Sequence, residues 1–196
     1  MKITVPAIVA GLIVGGAISF GFGMLDSLIV ARGGQSLGWM TRVGVGTALG
    51  VVTMAIVGAL SGNKALVLAG SAEDQRAKAF QPDPQLGVVY VFRDAFVGKL
   101  VGIDLLVDGA PQAQLRGKTF VRLALAPGSH QLSSVQPGQS NRVDLAVSVA
   151  PGSMTYVEQA IRMGALQSGP SLALKDERES QPRIRRCRLL ATAQAS

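Results

Sequence analysis

Ile3-Thr-Val-Pro-Ala-Ile-Val-Ala-Gly-Leu-Ile-Val-Gly-Gly-Ala-Ile-Ser-Phe-Gly-Phe-Gly-Met-Leu25 carries no charged side chain. About 20 helical residues cover roughly 30 Å of hydrocarbon. This run is that long, and so is Val43–Gly62, which is equally free of charge. From Gln81 onward, charges and turn residues recur every few positions, as they do in a globular domain. The fold class read from this contrast is a membrane α-helical hairpin plus an all-β part. Residues 1–70 form the two-span hairpin, 71–85 a juxtamembrane linker and 86–192 a small β-sandwich.

The first run starts after Lys2, holds Pro6 in its first turn and reaches Asp26-Ser27. Proline is tolerated there because the amide it lacks would be unpaired in any case. A signal peptide would also begin with a basic residue and an apolar stretch. This stretch is longer than a signal core, and a second span follows it. No cysteine stands near either run, so neither carries a lipid-anchor box. Between the runs, Arg32–Arg42 makes a short connection with Trp39 suited to the headgroup level. Counting basic flanks does not orient the hairpin, since Arg32 and Arg42 balance Lys2 and Lys64.

Gly11/Gly15, Gly46/Gly50 and Gly58/Gly62 match the spacing of small residues that lets helices approach closely. They are read as the packing face of the two helices, with self-association into a homo-oligomer as a further use. No ionisable group falls in the middle of either run, which argues against a pore.

Strand signals recur beyond the linker. Val88–Phe92 is apolar on both faces, Ile103–Val107 ends in the turn pair Asp108-Gly109, and Thr119–Leu125 leads to Pro127-Gly128 and then His130–Val135. Arg142–Val149 alternates cleanly, with Val143, Leu145, Val147 and Val149 on one face and Arg142, Asp144 and Ser148 on the other. Met154–Met163, Ser171–Lys175 and Arg188–Leu190 complete seven or eight strands. Short strands with such turns predict a small antiparallel β-sandwich. Asp108–Gln114 and Gln136–Asn141 read as loops, and with the strand edges they are the expected contact surfaces.

The net charge is +7, and four arginines, Arg183, Arg185, Arg186 and Arg188, stand close together. Such a cluster could meet anionic headgroups or an acidic partner. Without interleaved aromatic residues it is not read as a nucleic-acid surface. The plainer reading pairs these arginines with Asp176, Glu177 and Glu179 just upstream. Cys187 is the single cysteine and reads as a buried thiol. His130 is the single histidine. As a base it would need a nucleophile such as Ser129, Ser133 or Ser134 in reach, and a structural role is favoured. Asp104 and Asp108 share a strand face, yet no histidine or cysteine joins them, so no metal or cofactor is expected.

Val89-Tyr-Val-Phe-Arg93, Val107-Asp-Gly109, Ala126-Pro-Gly-Ser-His130, Ala150-Pro-Gly-Ser-Met-Thr-Tyr-Val157 and Ile184-Arg-Arg-Cys-Arg-Leu-Leu190 together resemble a bacterial family. It is the domain-of-unknown-function family numbered twenty-eight forty-six, many of whose members are envelope lipoproteins. The hairpin and Pro-Gly-Ser-His turn also resemble PEGA surface-layer modules. The resemblance implies no catalytic residues. It implies a β domain on the periplasmic side, and with the two spans the leading expectation is a non-enzymatic protein of the bacterial inner membrane whose β-sandwich binds another envelope protein or the cell wall. Two other readings stand beside it: a cytoplasm-facing membrane adaptor using the basic cluster, and a hydrolase using His130.

Overall fold

The computed structural model describes residues 5–36, 38–96, 98–138, 141–163 and 168–191. Lys2, Gln139–Ser140 of the expected 136–141 loop, and Thr192 at the expected domain end lie outside the described residues. The chain divides into two compact units, Met1–Gly62 and Asn63–Ser196, earlier than the boundary expected after residue 70. Residues 67–69 pair within the second unit, where the Ala69 amide donates to Leu189 O at 3.0 Å and Val67 O accepts from Ala191.

The first unit is a pair of helices, α1 (Val5–Ala31) and α2 (Trp39–Leu60). Both are long and apolar enough to cross a membrane. Helix α1 continues past Asp26, where the apolar run was expected to end. Leu28-Ile-Val-Ala31 resumes a helix-compatible apolar pattern, and the helix stops only at Arg32-Gly33, with Gly33 at φ +82°. Asp26 therefore lies inside the helix, where its carboxylate accepts a hydrogen bond from Ser36 Oγ at 2.9 Å.

The two helices meet through the glycines singled out above. A Cβ on Gly11 would stand 2.7 Å from Gly50 O, and one on Gly15 would stand 2.8 Å from Gly46 O. Reciprocally, a Cβ on Gly50 would stand 2.7 Å from Gly11 O. These four positions tolerate no side chain without parting the backbones. Gly58 sits in the last turn of α2, and Gly62 follows its C-cap, Ser61.

The second unit opens with α3 (Ser71–Ala77) and continues through β1 (Gly87–Arg93), β2 (Ile103–Val107), β3 (Ala110–Leu115), β4 (Thr119–Leu125), β5 (Gly128–Val135), β6 (Arg142–Val149), β7 (Met154–Met163), β8 (Ser168–Lys175), α4 (Glu177–Arg185) and β9 (Arg188–Leu189). Among the described residues nine strands form two sheets, ordered β8-β7-β1-β4-β9 and β3-β2-β5-β6. The sandwich is there, but its larger sheet is mixed rather than antiparallel. β1 runs parallel to β7 and β4 parallel to β9. The reason lies in the turns. Asp108-Gly109, with both residues at positive φ, makes the expected tight hairpin between β2 and β3. Pro127-Gly128 and Pro151-Gly152 instead carry the chain from one sheet to the other. A strand that returns after such an excursion can meet its neighbour in either direction.

Strand β3 was expected to be loop. Its polar residues and Pro111 hide the pattern, and it survives because it is an edge strand, where a missing amide costs no ladder bond.

Every residue of β1 is buried. Val89 and Val91 face the second sheet with Leu105, Leu132, Val147 and Val157. Val88, Tyr90 and Phe92 face the other way, into a cluster with Phe120, Tyr156, Phe80 and Ile184. Helices α3 and α4 supply Ala77 and Ile184 to that outer cluster, so the unit is three layers deep. Tyr90 fixes the outer layer by stacking on Tyr156 at 5.5 Å and donating its hydroxyl to Ala77 O at 2.9 Å.

Replacing Gly50 with leucine is expected to lengthen and broaden the distance between spin labels on α1 and α2, read by pulsed electron resonance. Gly16→Leu should leave it unchanged, since a Cβ there meets nothing within 4 Å.

Candidate interaction surfaces

The C-terminal arginines do not act as one patch. Arg183, on α4, turns inward and lies over the Phe92 ring, 5.1 Å from its centroid. Its guanidinium donates to Glu158 and, at 3.3 Å, to Asp94 Oδ2; it also reaches Glu179 Oε1 at 3.1 Å. Only Glu179 was foreseeable as a neighbour one helical turn away. Asp94 and Glu158 come from the end of β1 and from β7. Lys118 pairs with Asp94, and Lys175 with Glu158 and Glu179, so three carboxylates and three cations form one network. Hydrogen bonding to Glu158 raises the Arg183 pKa above its ordinary value. At Asp94, burial works to raise the carboxyl, and hydrogen bonds from Lys118 and Arg183 overcome it to hold the pKa low.

Arg185 lies 5.1 Å over the Phe80 ring, and it is exposed along with Arg186 and Arg188. Three of the four arginines therefore remain at the surface. Cys187 follows α4, ahead of β9, and is 1% exposed. Burial pushes its thiol up to about 12, so the adjacent arginines do not activate it.

His130 is held by both ring nitrogens. Nδ1 lies 2.6 Å from Asp108 Oδ2 and Nε2 lies 2.8 Å from Ala126 O. Two acceptors favour the doubly protonated ring, and the Asp108 carboxylate foremost, with Ala126 O second, raises the His130 pKa. Asp108 is itself held low, first by the Gln131 amide and then by His130. The pair ties the β2–β3 turn to the β4–β5 connection. Ser133 Oγ accepts from Arg142 and Ser134 Oγ from Gln159, so neither serine meets the histidine. Asp104 bonds to Lys64 and Gln114 and does not join Asp108. Among the described residues no group of three metal-ligating side chains forms.

Two features escaped the sequence. A shallow cleft of about 270 Å³ is lined by Glu73, Arg76, Ala77, Gln81, Arg122 and two leucines. Its residues come from three distant segments, with no local signature. The second feature is an asymmetry between the two outer faces of the sandwich. The larger sheet is covered by α3 and α4, while the outer face of β2-β5-β6 carries Asp104, Gln131, Arg142, Asp144, Ala146 and Ser148, the last five exposed. An open sheet face with exposed polar residues is a surface free for a partner.

The chain is 25% identical over 126 residues to an uncharacterized protein of Haemophilus influenzae. That similarity spans 64% of this chain and 74% of the relative. No family model and no solved structure matches the chain.

Two outcomes follow from the geometry. Arg183→Met leaves Asp94 and Glu158 short of a partner in half-buried positions and should lower the stability of the β unit by about 2 kcal/mol, with Arg186→Gln near neutral; thermal melts followed by circular dichroism read both. For His130, the raised folded pKa means that its stabilisation is complete below the ordinary value of about 6.5 and is lost as pH rises through the folded value. Proton NMR of the single imidazole should titrate above that ordinary value, and His130→Asn should abolish this part of the pH dependence.

Proposed function

We propose that this is a membrane-anchored, non-enzymatic protein of the bacterial cell envelope. Helices α1 and α2 hold it in the inner membrane, and the β-sandwich faces the periplasm, where it binds another protein or the cell wall. The observation that carries this reading is the uncovered face of β2-β5-β6 on a domain tethered to two apolar helices. The groups with catalytic potential support it, because His130, Asp108, Ser133 and Ser134 are all engaged in structural hydrogen bonds. The periplasmic side follows from the motif resemblance read in the sequence to family twenty-eight forty-six, which no family model matches in this chain.

The test begins with a single exposed cysteine. Ser148→Cys, in a Cys187→Ser background, places a reactive thiol on the outward face of β6. A membrane-impermeant maleimide should label it in intact cells. Labelling only after lysis would overturn the periplasmic assignment and turn attention to a cytoplasm-facing adaptor that uses Arg185, Arg186 and Arg188. A photo-crosslinking residue at Ala146 should then yield a discrete adduct in cells, or the protein should sediment with purified cell-wall sacculi. Absence of both the adduct and co-sedimentation would sink the binding role of this face.

A further inference from the structure

Five large apolar side chains of the second unit are exposed among the described residues: Leu66, Val67, Phe96, Leu100 and Leu174. Four of them lie on two segments that are bonded together. Leu66 and Val67 follow the end of α2, and Phe96 and Leu100 belong to the β1–β2 loop. Asn63 joins the segments, since its Nδ2 donates to Leu100 O at 2.7 Å and its Oδ1 accepts from the Gly102 amide at 2.7 Å.

The loop is firmly held. Arg93, fully buried at the end of β1, donates to Val101 O at 2.6 Å, Gly98 O at 2.8 Å and Leu115 O at 3.3 Å. Lys99 O accepts from the Gly117 amide at 2.9 Å. Gly98 adopts φ +64° within this cradle. Burial lowers the Arg93 pKa to about 10, which still leaves it charged at neutral pH. A buried cation thus fixes a loop on which Phe96 is 84% and Leu100 65% exposed. Two large, strongly exposed apolar side chains thus stand four residues apart on one loop whose backbone is tied down.

Chain length limits how far this loop can lie from the end of α2. Helix α2 ends at Leu60, and Asn63 is three residues on, a reach of at most about 11 Å. Whatever way the domain turns on that link, the Leu100 backbone stays near the point where the chain leaves α2. We propose that the β1–β2 loop is a membrane-interface anchor, seating Phe96 and Leu100 at the headgroup–acyl boundary of the bilayer that α1 and α2 cross. Lys99, exposed in the same loop, suits the anionic headgroups above that boundary, and Lys64, paired with Asp104 yet two-thirds exposed, stands on the chain leaving α2. This rests on the membrane-spanning reading of the two helices.

The full chain in lipid nanodiscs tests it, with bromine-labelled acyl chains as a quencher. Trp39 is the single tryptophan and reports on the hairpin. In a Trp39→Phe background, tryptophan is placed at Phe96, at Leu100 or, as a control, at the exposed Leu174 of β8. Blue-shifted, quenched emission at positions 96 and 100, with unquenched emission at 174, is the expected result. Quenching of Trp39 without quenching at 96 and 100 would overturn the anchor while leaving the spans intact. Blue-shifted but unquenched emission at 96 would mean a protein occupant and would also overturn it. Equal quenching at 174 would show no preference for the loop and count against it. An unquenched Trp39 in the parent chain would bring down the spanning reading itself, and the anchor with it.

Discussion

Burial of β1 on both faces is the constraint from which the second unit follows. Val89 and Val91 on one side, and Val88, Tyr90 and Phe92 on the other, must all leave water. A two-layer sandwich covers only one of those faces. The chain therefore adds α3 and α4 as a third layer, held down by the Tyr90 hydroxyl, by the stacked rings of Tyr90 and Tyr156 and by the Phe80 ring tilted against Tyr90. With β1 at the centre of five strands, its neighbours are β4 and β7, one antiparallel and one parallel. The asymmetry between a covered and an open face descends from this placement, while the parallel pairs come from the connections that cross between sheets.

Charge serves geometry throughout the domain. Arg93 gathers three carbonyls and shapes the β1–β2 loop, Arg183 joins α4 to β1 and β7, and His130 joins two turns. Each of these groups could look chemical in a bare sequence. Inside the fold these groups bond to neighbours that hold the chain together. Among the described residues, the open face of the smaller sheet, the exposed arginines after α4, the cleft beside α3 and the exposed apolar residues of the β1–β2 loop stay available for encounters with other molecules.

Much of this was legible from residue order. Hydropathy over about 20 residues is a local sum, so the two apolar helices could be read directly, and the glycine spacing located the close approach at Gly11, Gly15, Gly46 and Gly50. The period-two alternation of Arg142–Val149 predicted its strand, and the Asp108-Gly109 pair its hairpin. Local signals failed where partners are distant. β3 lacks an apolar pattern because an edge strand needs none. Arg183 took Asp94 and Glu158 in place of two of the three acids beside it in the chain.

By itself, then, the sequence determined the class of each segment, because helix length, strand alternation and turn chemistry are written within a few residues of one another. Tertiary structure alone decided which turns cross between sheets, which strands run parallel and which sheet face stays open. It alone bonded the Leu100 and Gly102 backbone to Asn63. Those outcomes depend on burying β1 twice and on charges meeting across the fold, and no window along the chain contains both members of such a contact.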